Sequence, residues 1–280
     1  MCQKAAELLK YGQEQLKNAG IFDWDYDSRT LLKWICHISR MDLLINPDLM
    51  VKEDTARCYR KYIEKRAAHQ PLQYLMGECE FMGLPFWVNP HVLIPRQDTE
   101  TLVEWILERE KKQTGLHILD VCTGSGCIAV SLAALGNHPY VDAVDLSFNA
   151  LSTAKKNAER NQVQVSFEQS DMFSQVKGIY DIIVSNPPYI PTEVMKELMP
   201  EVREHEPEMA LDGKEDGLFF YRILARESRR HFKGKGRLYL EIGYDQGESV
   251  PALLQEAGFE EIEVKKDLAG NDRAVAAVFP

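Results

Sequence analysis

At 280 residues, with 45% hydrophobic and 27% charged side chains, the chain is long enough for a large domain with a smaller companion, and its composition excludes a disordered or low-complexity chain. The most apolar stretch, residues 118–135, contains Asp120, Thr123, two serines and two glycines, which excludes a membrane span there. The net charge of -10 is uneven: residues 1–75 hold 12 Lys and Arg against 10 Asp and Glu, and residues 76–280 hold 21 against 33. Such an acidic larger part disfavours binding to the phosphate backbone of duplex DNA, and no stable nucleic-acid partner is expected.

The first residues form an amphipathic pattern carrying Glu7 and Glu14, unlike a secretory or transit segment, so a cytoplasmic chain without membrane attachment is expected. Helical spacing continues through Leu8, Leu9 and Leu16, then Leu31, Leu32, Ile35 and Ile38, then Tyr59, Ile63 and Ala67, which predicts a helical bundle over residues 1–75. The cluster Arg57, Arg60, Lys61, Lys65 and Arg66 reads as a solvated face of its last helix. Residues 76–96, broken by Gly77, Gly83, Pro85, Pro90 and Pro95, read as a hairpin-like linker.

From residue 97 to 280 strand and helix patterns alternate. Strands are predicted over 117–122, 140–145, 163–170, 180–186 and 236–243, helices from Gly126, over 147–161, 217–232 and 246–257, and two closing strands over 260–266 and 274–279. This alternation means βαβ units and an α/β domain with a mostly parallel sheet, the last two strands adding an antiparallel pair. The six cysteines, at positions 2, 36, 58, 79, 122 and 127, lack any paired CxxC spacing and read as reduced thiols, and His69, His91 and His205 have no spacing that makes a metal site.

The run His117-Ile-Leu-Asp-Val-Cys-Thr-Gly-Ser-Gly126 is a buried strand entering a glycine turn and a helix, where Gly124 and Gly126 allow close approach of a ligand to the backbone. Alanine at position 129 departs from the dinucleotide fingerprint, which favours a nucleoside without phosphates over a pyrophosphate. Asp145 closes the next strand, where such folds use an acid to hold ribose hydroxyls. Asp171 follows the third strand and meets the adenine end, with Met172 and Phe173 as apolar neighbours. Tyr221, Phe219 and Phe220 read as core residues.

Asn186-Pro187-Pro188-Tyr189 follows the apolar strand Asp181-Ile-Ile-Val184. The two prolines fix φ and remove two donors, leaving a stiff row of acceptors. The Asn186 side-chain oxygen and the Pro187 carbonyl can together accept both hydrogens of an NH2 group, with Tyr189 beside it. Those residues alone leave two substrates open, a carboxamide and the exocyclic amine of adenine.

Beyond these motifs, His69-Gln-Pro-Leu-Gln-Tyr74 with Gly77, Ile94-Pro-Arg-Gln-Asp-Thr-Glu100, Glu206-Pro207, Ala210-Leu-Asp-Gly213, Asp216-Gly-Leu218 and Asp267-Leu-Ala-Gly-Asn-Asp-Arg273 line up along nearly the whole chain. In them the sequence resembles the release factor glutamine methyltransferases, which methylate N5 of the glutamine in the Gly-Gly-Gln motif of peptide chain release factors. The resemblance implies a Rossmann-like class I methyltransferase domain with a seven-stranded sheet, S-adenosylmethionine as donor, S-adenosylhomocysteine as product, no metal and release factors as protein partners; a monomer is expected because the sequence shows no conspicuous exposed apolar heptad or repeated patch. It also implies that Cys122, Thr123, Gly124, Ser125, Gly126 and Asp145 bind the cofactor, with Asp171, Met172 and Asn186 close to it. Asn186, Pro187, Pro188 and Tyr189 then hold the glutamine, Asn186 and Pro187 being catalytic. Two positions depart from the family: Cys122 stands where glycine is usual, and Gln97 where proline is usual. The runner-up reading is N6-adenine methylation of DNA or RNA.

Overall fold

A computed structural model of the chain describes residues 2–280. They form two compact units, residues 2–77 with Pro200–His205, and Glu78–Met199 with Glu206–Pro280.

In the first unit β1 (Cys2–Lys4) pairs antiparallel with β2 (Met50–Lys52), around helices α1 (Ala5–Asn18), α2 (Trp24–Cys36), α3 (Arg40–Ile45), α4 (Glu53–Ala67) and α5 (Leu72–Met76). Leu8, Leu16, Leu31, Leu32, Tyr59 and Ile63 are its core, at the helical spacings read from the sequence. Gly12 has a packing reason: a Cβ there would lie 2.1 Å from the Tyr59 hydroxyl, which donates to the Ser28 carbonyl. The basic cluster on α4 is not uniformly solvated. Arg66 is 4% exposed and its Nε donates to Asp27 at 2.6 Å, because α4 turns this position inward toward α2. The one-turn helix α9 (Pro200–Arg203) belongs to this unit and supplies Glu201, 2.8 Å from Arg66.

The second unit begins with the hairpin β3 (Glu78–Phe81) and β4 (Leu84–Trp87). Its loop is Met82-Gly83, both at positive φ (54° and 72°), as a two-residue turn between twisted strands requires. The hairpin is part of this unit rather than a linker, since Phe81 and Phe86 are buried with Leu102, Ile106 and Ile128.

The remaining elements are α6 (Gln97–Glu110), β5 (His117–Val121), α7 (Cys127–Leu135), β6 (Tyr140–Asp145), α8 (Phe148–Arg160), β7 (Ser166–Gln169), β8 (Tyr180–Ser185), α10 (Phe219–Glu227), β9 (Phe232–Glu241), α11 (Ser249–Glu256), β10 (Glu260–Lys266) and β11 (Asp272–Phe279). Seven strands form one sheet in the order β10-β11-β9-β8-β5-β6-β7. The pairs β5·β6, β6·β7, β5·β8 and β8·β9 are parallel, and β11 is antiparallel to both β9 and β10. This is the α/β class I methyltransferase architecture, with helices covering both faces.

Both faces are legible in the apolar runs. Leu119, Ile183, Leu238, Leu240 and Val275 pack with Tyr221, Leu224 and Leu254 of α10 and α11. Their sequence neighbours Ile118, Ile182, Tyr239 and Ala274 pack on the other face with α6, α7 and α8. Successive strand residues point to opposite faces, so a strand covered on both sides must be apolar throughout. The predicted helix at 217–232 is shorter than its pattern: α10 ends at Glu227, a 3-10 turn spans Ser228–His231, and β9 starts at Phe232. No helix among the described residues is long and apolar enough to cross a membrane.

Gln97 opens α6, and no hydrogen bond among the described residues uses its N–H. Arg96 before it is extended (φ −100°, ψ 146°), the conformation that a following proline demands. Gln97→Pro is therefore expected to raise the free energy of unfolding by about 0.4–1 kcal/mol in urea titrations, through a less flexible unfolded chain and a preformed helical φ. A loss of stability would show that the N–H of Gln97 is in use.

Candidate cofactor and acceptor site

The carboxyl ends of β5, β6, β7 and β8 open on one cavity of about 310 Å³. The order of the sheet reverses between β5 and β8, the place where open α/β sheets leave a crevice.

β5 runs into the glycine turn through Cys122, which has φ 62°. The Thr123 N–H donates to the Val144 carbonyl at 3.0 Å, and the Thr123 hydroxyl donates to Asp120 at 2.6 Å. The two glycines differ in role. A Cβ on Gly124 (φ 57°) would project into open space, whereas a Cβ on Gly126 (φ 80°) would lie 2.9 Å from that of Ala154 on α8. Gly124 lines the cavity beside Cys122, Thr123 and Ser125, while Gly126 caps α7 and lets α8 pack close. Asn157 on α8 pins the arrangement, donating to the carbonyls of Ser125 (2.8 Å) and Trp87 (3.0 Å).

Asp120 does not reach the cavity. It is fully buried within β5, facing away, and burial pushes its carboxyl up to about 7. Asp145 does line the cavity, and its two oxygens accept from the N–H groups of Gly124 and Ser147, both at 2.8 Å. The Leu146 N–H also favours its charged form, and since a carboxylate offers about four lone-pair directions, acceptor capacity remains for a ligand. Asp171 lies exposed at the mouth. Met172, with φ 48°, is buried against Cys122, its sulfur 3.7 Å from Sγ. Phe173 turns instead into the core, stacked on His231 with centroids 5.2 Å apart. Burial raises the Cys122 thiol well above its ordinary range, which leaves little thiolate for reaction.

At the end of β8, Asn186 and Pro188 line the cavity, and Pro187 and Tyr189 are their chain neighbours on the ledge. Asn186 Nδ2 donates to the Thr99 hydroxyl at 3.3 Å, and Oδ1 accepts no hydrogen bond from the described residues. The Tyr189 hydroxyl points to Glu241 at 3.4 Å, and its carbonyl accepts from Gln246 Nε2 at 3.2 Å. The Ile190 N–H donates to the Leu211 carbonyl and the Gly213 N–H to the Ile190 carbonyl, clamping the ledge to the following loop.

Sequence reasoning missed several walls of this cavity. Phe219 and Phe220 line it, Phe220 also packing against the core, and Thr99, Met209 and Lys214 line it too. Arg96 is paired with buried Glu206, and Glu100 accepts from the Met82 N–H at 2.6 Å, which fixes the hairpin. The adjacent aromatics after Gly217 were the available signal. Tyr221 is fully buried in the core, donating to the Glu241 carbonyl at 2.8 Å. Among the described residues no cluster of three His, Cys, Asp or Glu side chains could hold a metal ion.

Residues 97–204 match the family described as methyltransferase small domain, and residues 7–77 the PrmC N-terminal domain. The chain is 38% identical over 276 residues to the release factor glutamine methyltransferase of Clostridium botulinum, covering 97% of this chain and 98% of that one. The chain belongs to the release factor glutamine methyltransferase family. The enzyme of the same name from Flavobacterium psychrophilum is 39% identical, with 89% of this chain and 90% of that one covered. Among solved structures, a 16S rRNA methyltransferase from T. thermophilus in complex with AdoMet and guanosine superposes with a TM-score of 0.51 at 19% identity, covering 71% of this chain and 49% of that one. That likeness is one of fold.

The two glycines of the turn give opposite expectations. Either alanine is strained by roughly 1–2 kcal/mol at positive φ. Gly126→Ala must in addition displace α8, and unfolding titrations are expected to show the larger loss of stability. Gly124→Ala is expected to keep most of the stability and to lose tenfold or more in S-adenosylmethionine affinity by calorimetry, since its methyl enters the ligand space. Equal affinity losses in the two variants would remove the distinction.

Proposed function

We propose that this chain transfers the methyl group of S-adenosylmethionine to the side-chain amide nitrogen (N5) of the glutamine in the Gly-Gly-Gln motif of peptide chain release factors, releasing S-adenosylhomocysteine and modulating translation termination. The observation that carries the choice of a glutamine amide is the near full-length similarity to the release factor glutamine methyltransferases, and the orientation of Asn186 supports methylation of an NH2 nitrogen: Nδ2 is engaged by Thr99, so Oδ1 is left as an acceptor beside the cavity.

The residues present fit the cofactor. Gly124 leaves open space where a Cβ would stand, Asp145 keeps acceptor capacity for ribose hydroxyls, and Met172 is an apolar neighbour for the base. Cys122, Thr123, Gly124 and Ser125 would hold it through the backbone, with Asp171 at the base end, Asn186 near the reacting end and Gly126 shaping the turn from behind. When bound, S-adenosylmethionine supplies an electrophilic methyl group on a sulfonium centre.

The protein's own part is positioning. Asn186 Oδ1 and the Pro187 carbonyl, which no described N–H engages, accept the two hydrogens of the glutamine NH2 group. Conjugation with the carbonyl makes that nitrogen a poor nucleophile. Fixing both N–H bonds aims its lone pair along one line, and orientation of this kind is worth roughly 7–11 kcal/mol of barrier in favourable cases, without a strong base. Pro188 and Tyr189 bound the amide, and Gln246 and Gly213 keep the ledge from moving.

We assign recognition of the release factor around its glutamine to residues 1–75. Phe22, Tyr26, Met41, Leu44, Ile45 and Met50 are the large exposed apolar side chains available there, and the chain acts as a monomer in this reading. The test incubates the protein and labelled S-adenosylmethionine separately with a release factor, its Gly-Gly-Gln glutamine variant, tRNA, rRNA and DNA. Label is expected on the intact release factor alone, and label on nucleic acid in its place would overturn the assignment. Asn186→Ala is expected to lower turnover by roughly 100-fold while cofactor affinity changes by less than about threefold. Equal losses in both would make Asn186 a cofactor ligand first.

A further inference from the structure

A carboxyl that the mechanism above does not use lies beneath the acceptor ledge. Glu241, the last residue of β9, is 1% exposed. The Tyr189 hydroxyl reaches its Oε1 at 3.4 Å, and its Oε2 has no hydrogen-bond partner among the described residues. Thr99, itself 2% exposed, accepts from Asn186 Nδ2 at 3.3 Å and directs its hydroxyl toward Glu241. Both ends of the Asn186–Tyr189 ledge thus converge on one carboxyl group.

The direction of this chain of hydrogen bonds follows from proton counting. A threonine hydroxyl has a single proton. While Thr99 accepts from Asn186, that proton is free for Glu241, which can accept it when ionised. The Asn186 amide is then held with Oδ1 toward the substrate. When Glu241 carries a proton, the chain can run in reverse: Glu241 donates to Thr99, Thr99 donates to Asn186 Oδ1, and the amide presents its NH2 to the cavity. Two NH2 groups, that of Asn186 and that of the glutamine, then face each other donor to donor.

We propose that Glu241 is a positioning residue whose carboxylate, acting through Thr99, fixes the Asn186 side chain with Oδ1 toward the nitrogen to be methylated. This deepens the methylation reading and, for its effect on turnover, rests on it.

Groups from every neighbouring element act on Glu241: Thr99 and Asp98 of α6, Arg273 of β11, Tyr189 of the ledge, Tyr221 of α10 and Cys127 of α7. Arg273 favours the carboxylate, but it is shared with Asp267 (3.1 Å) and Asp98 (3.4 Å). Burial prevails and pushes Glu241 up to about 7. The competent state is the ionised one. Turnover and the Asn186 orientation are therefore present above that value and lost as the pH falls through it.

Two readouts on the full chain test this. In nitrogen-15 spectra of the protein without substrate, the Asn186 side-chain NH2 signals, identified by their loss in Asn186→Ala, are expected to shift with a midpoint near 7 between about pH 5.5 and 8.5. The shift should vanish in Glu241→Gln and in Thr99→Val and persist in Thr99→Ser. With the release factor at about pH 8, Thr99→Val should lose tenfold or more in kcat with KM changed less than about threefold, and Thr99→Ser should restore most of it. Asn186 signals insensitive to pH in the unmodified protein overturn the proposal, as does equal impairment of Thr99→Val and Thr99→Ser. Should Thr99→Val fail to fold, Thr99→Ser and Glu241→Gln decide. If the unmodified protein labels no release factor, the methylation reading fails, while the spectra still decide the proton chain.

Discussion

The parallel pairing of β5 with β8 is the constraint from which the site follows. Val121 and Ser185 are partners in register, and the Ser185 hydroxyl donates to the Val121 carbonyl at 2.6 Å across 64 residues of sequence. One strand leaves this point into the glycine turn and the other into Asn186-Pro187-Pro188-Tyr189. Because the sheet order reverses here, successive connections leave toward opposite sides and leave the space between free. A donor pocket and an acceptor ledge therefore stand side by side without any special contact to join them.

Rigidity is then added from behind the cavity. The turn is strapped by Thr123 to Asp120, by Asn157 to α8 and the hairpin, and by Gly124 to Asp145. The ledge is strapped through the Tyr189 carbonyl to Gln246, at a spot where Gly217 has φ 72° and a Cβ would lie 2.4 Å from that same oxygen. Glycine is required there by close approach of two backbones, whereas at Gly124 a Cβ would meet only the open cavity and the positive φ of 57° is what favours glycine. The same residue type thus serves two different ends of one site.

How much of this was legible depends on the range of the interaction. β5, the glycine turn and α7 are consecutive, so residue pattern alone placed Gly124 and Asp145 where the structure has them. The family resemblance, carried by segments such as Ile94 to Glu100, separated amide from adenine, which the ledge itself could not do. Thr99 and Glu241 carried no local sign, because their partners lie 87 and 52 residues away. Arg66 misread for a related reason: a run of basic residues looks solvated until α2 supplies Asp27. Phe219 and Phe220 sit on an amphipathic helix start, where an aromatic facing a cavity and one facing the core follow the same period. Asp120 lies one residue before the end of β5, and in a strand a single step reverses the face.

Two buried acids show what the fold sets against stability. Asp120 and Glu241 are each 1% exposed or less, burial raises each to about 7, and each keeps one oxygen, Oδ1 and Oε2, without a hydrogen-bond partner among the described residues. Leaving a buried polar group unpaired costs about 1–3 kcal/mol, so neither carboxyl is explained by packing. Each instead engages the hydroxyl of one threonine, Thr123 under the glycine turn and Thr99 under Asn186. A hydroxyl turns freely until an acceptor fixes it, and a buried carboxyl is a strong acceptor because little water competes for it. The cofactor turn and the acceptor amide are thus each oriented by the same device, a threonine held from below by an acid that the apolar core would otherwise disfavour.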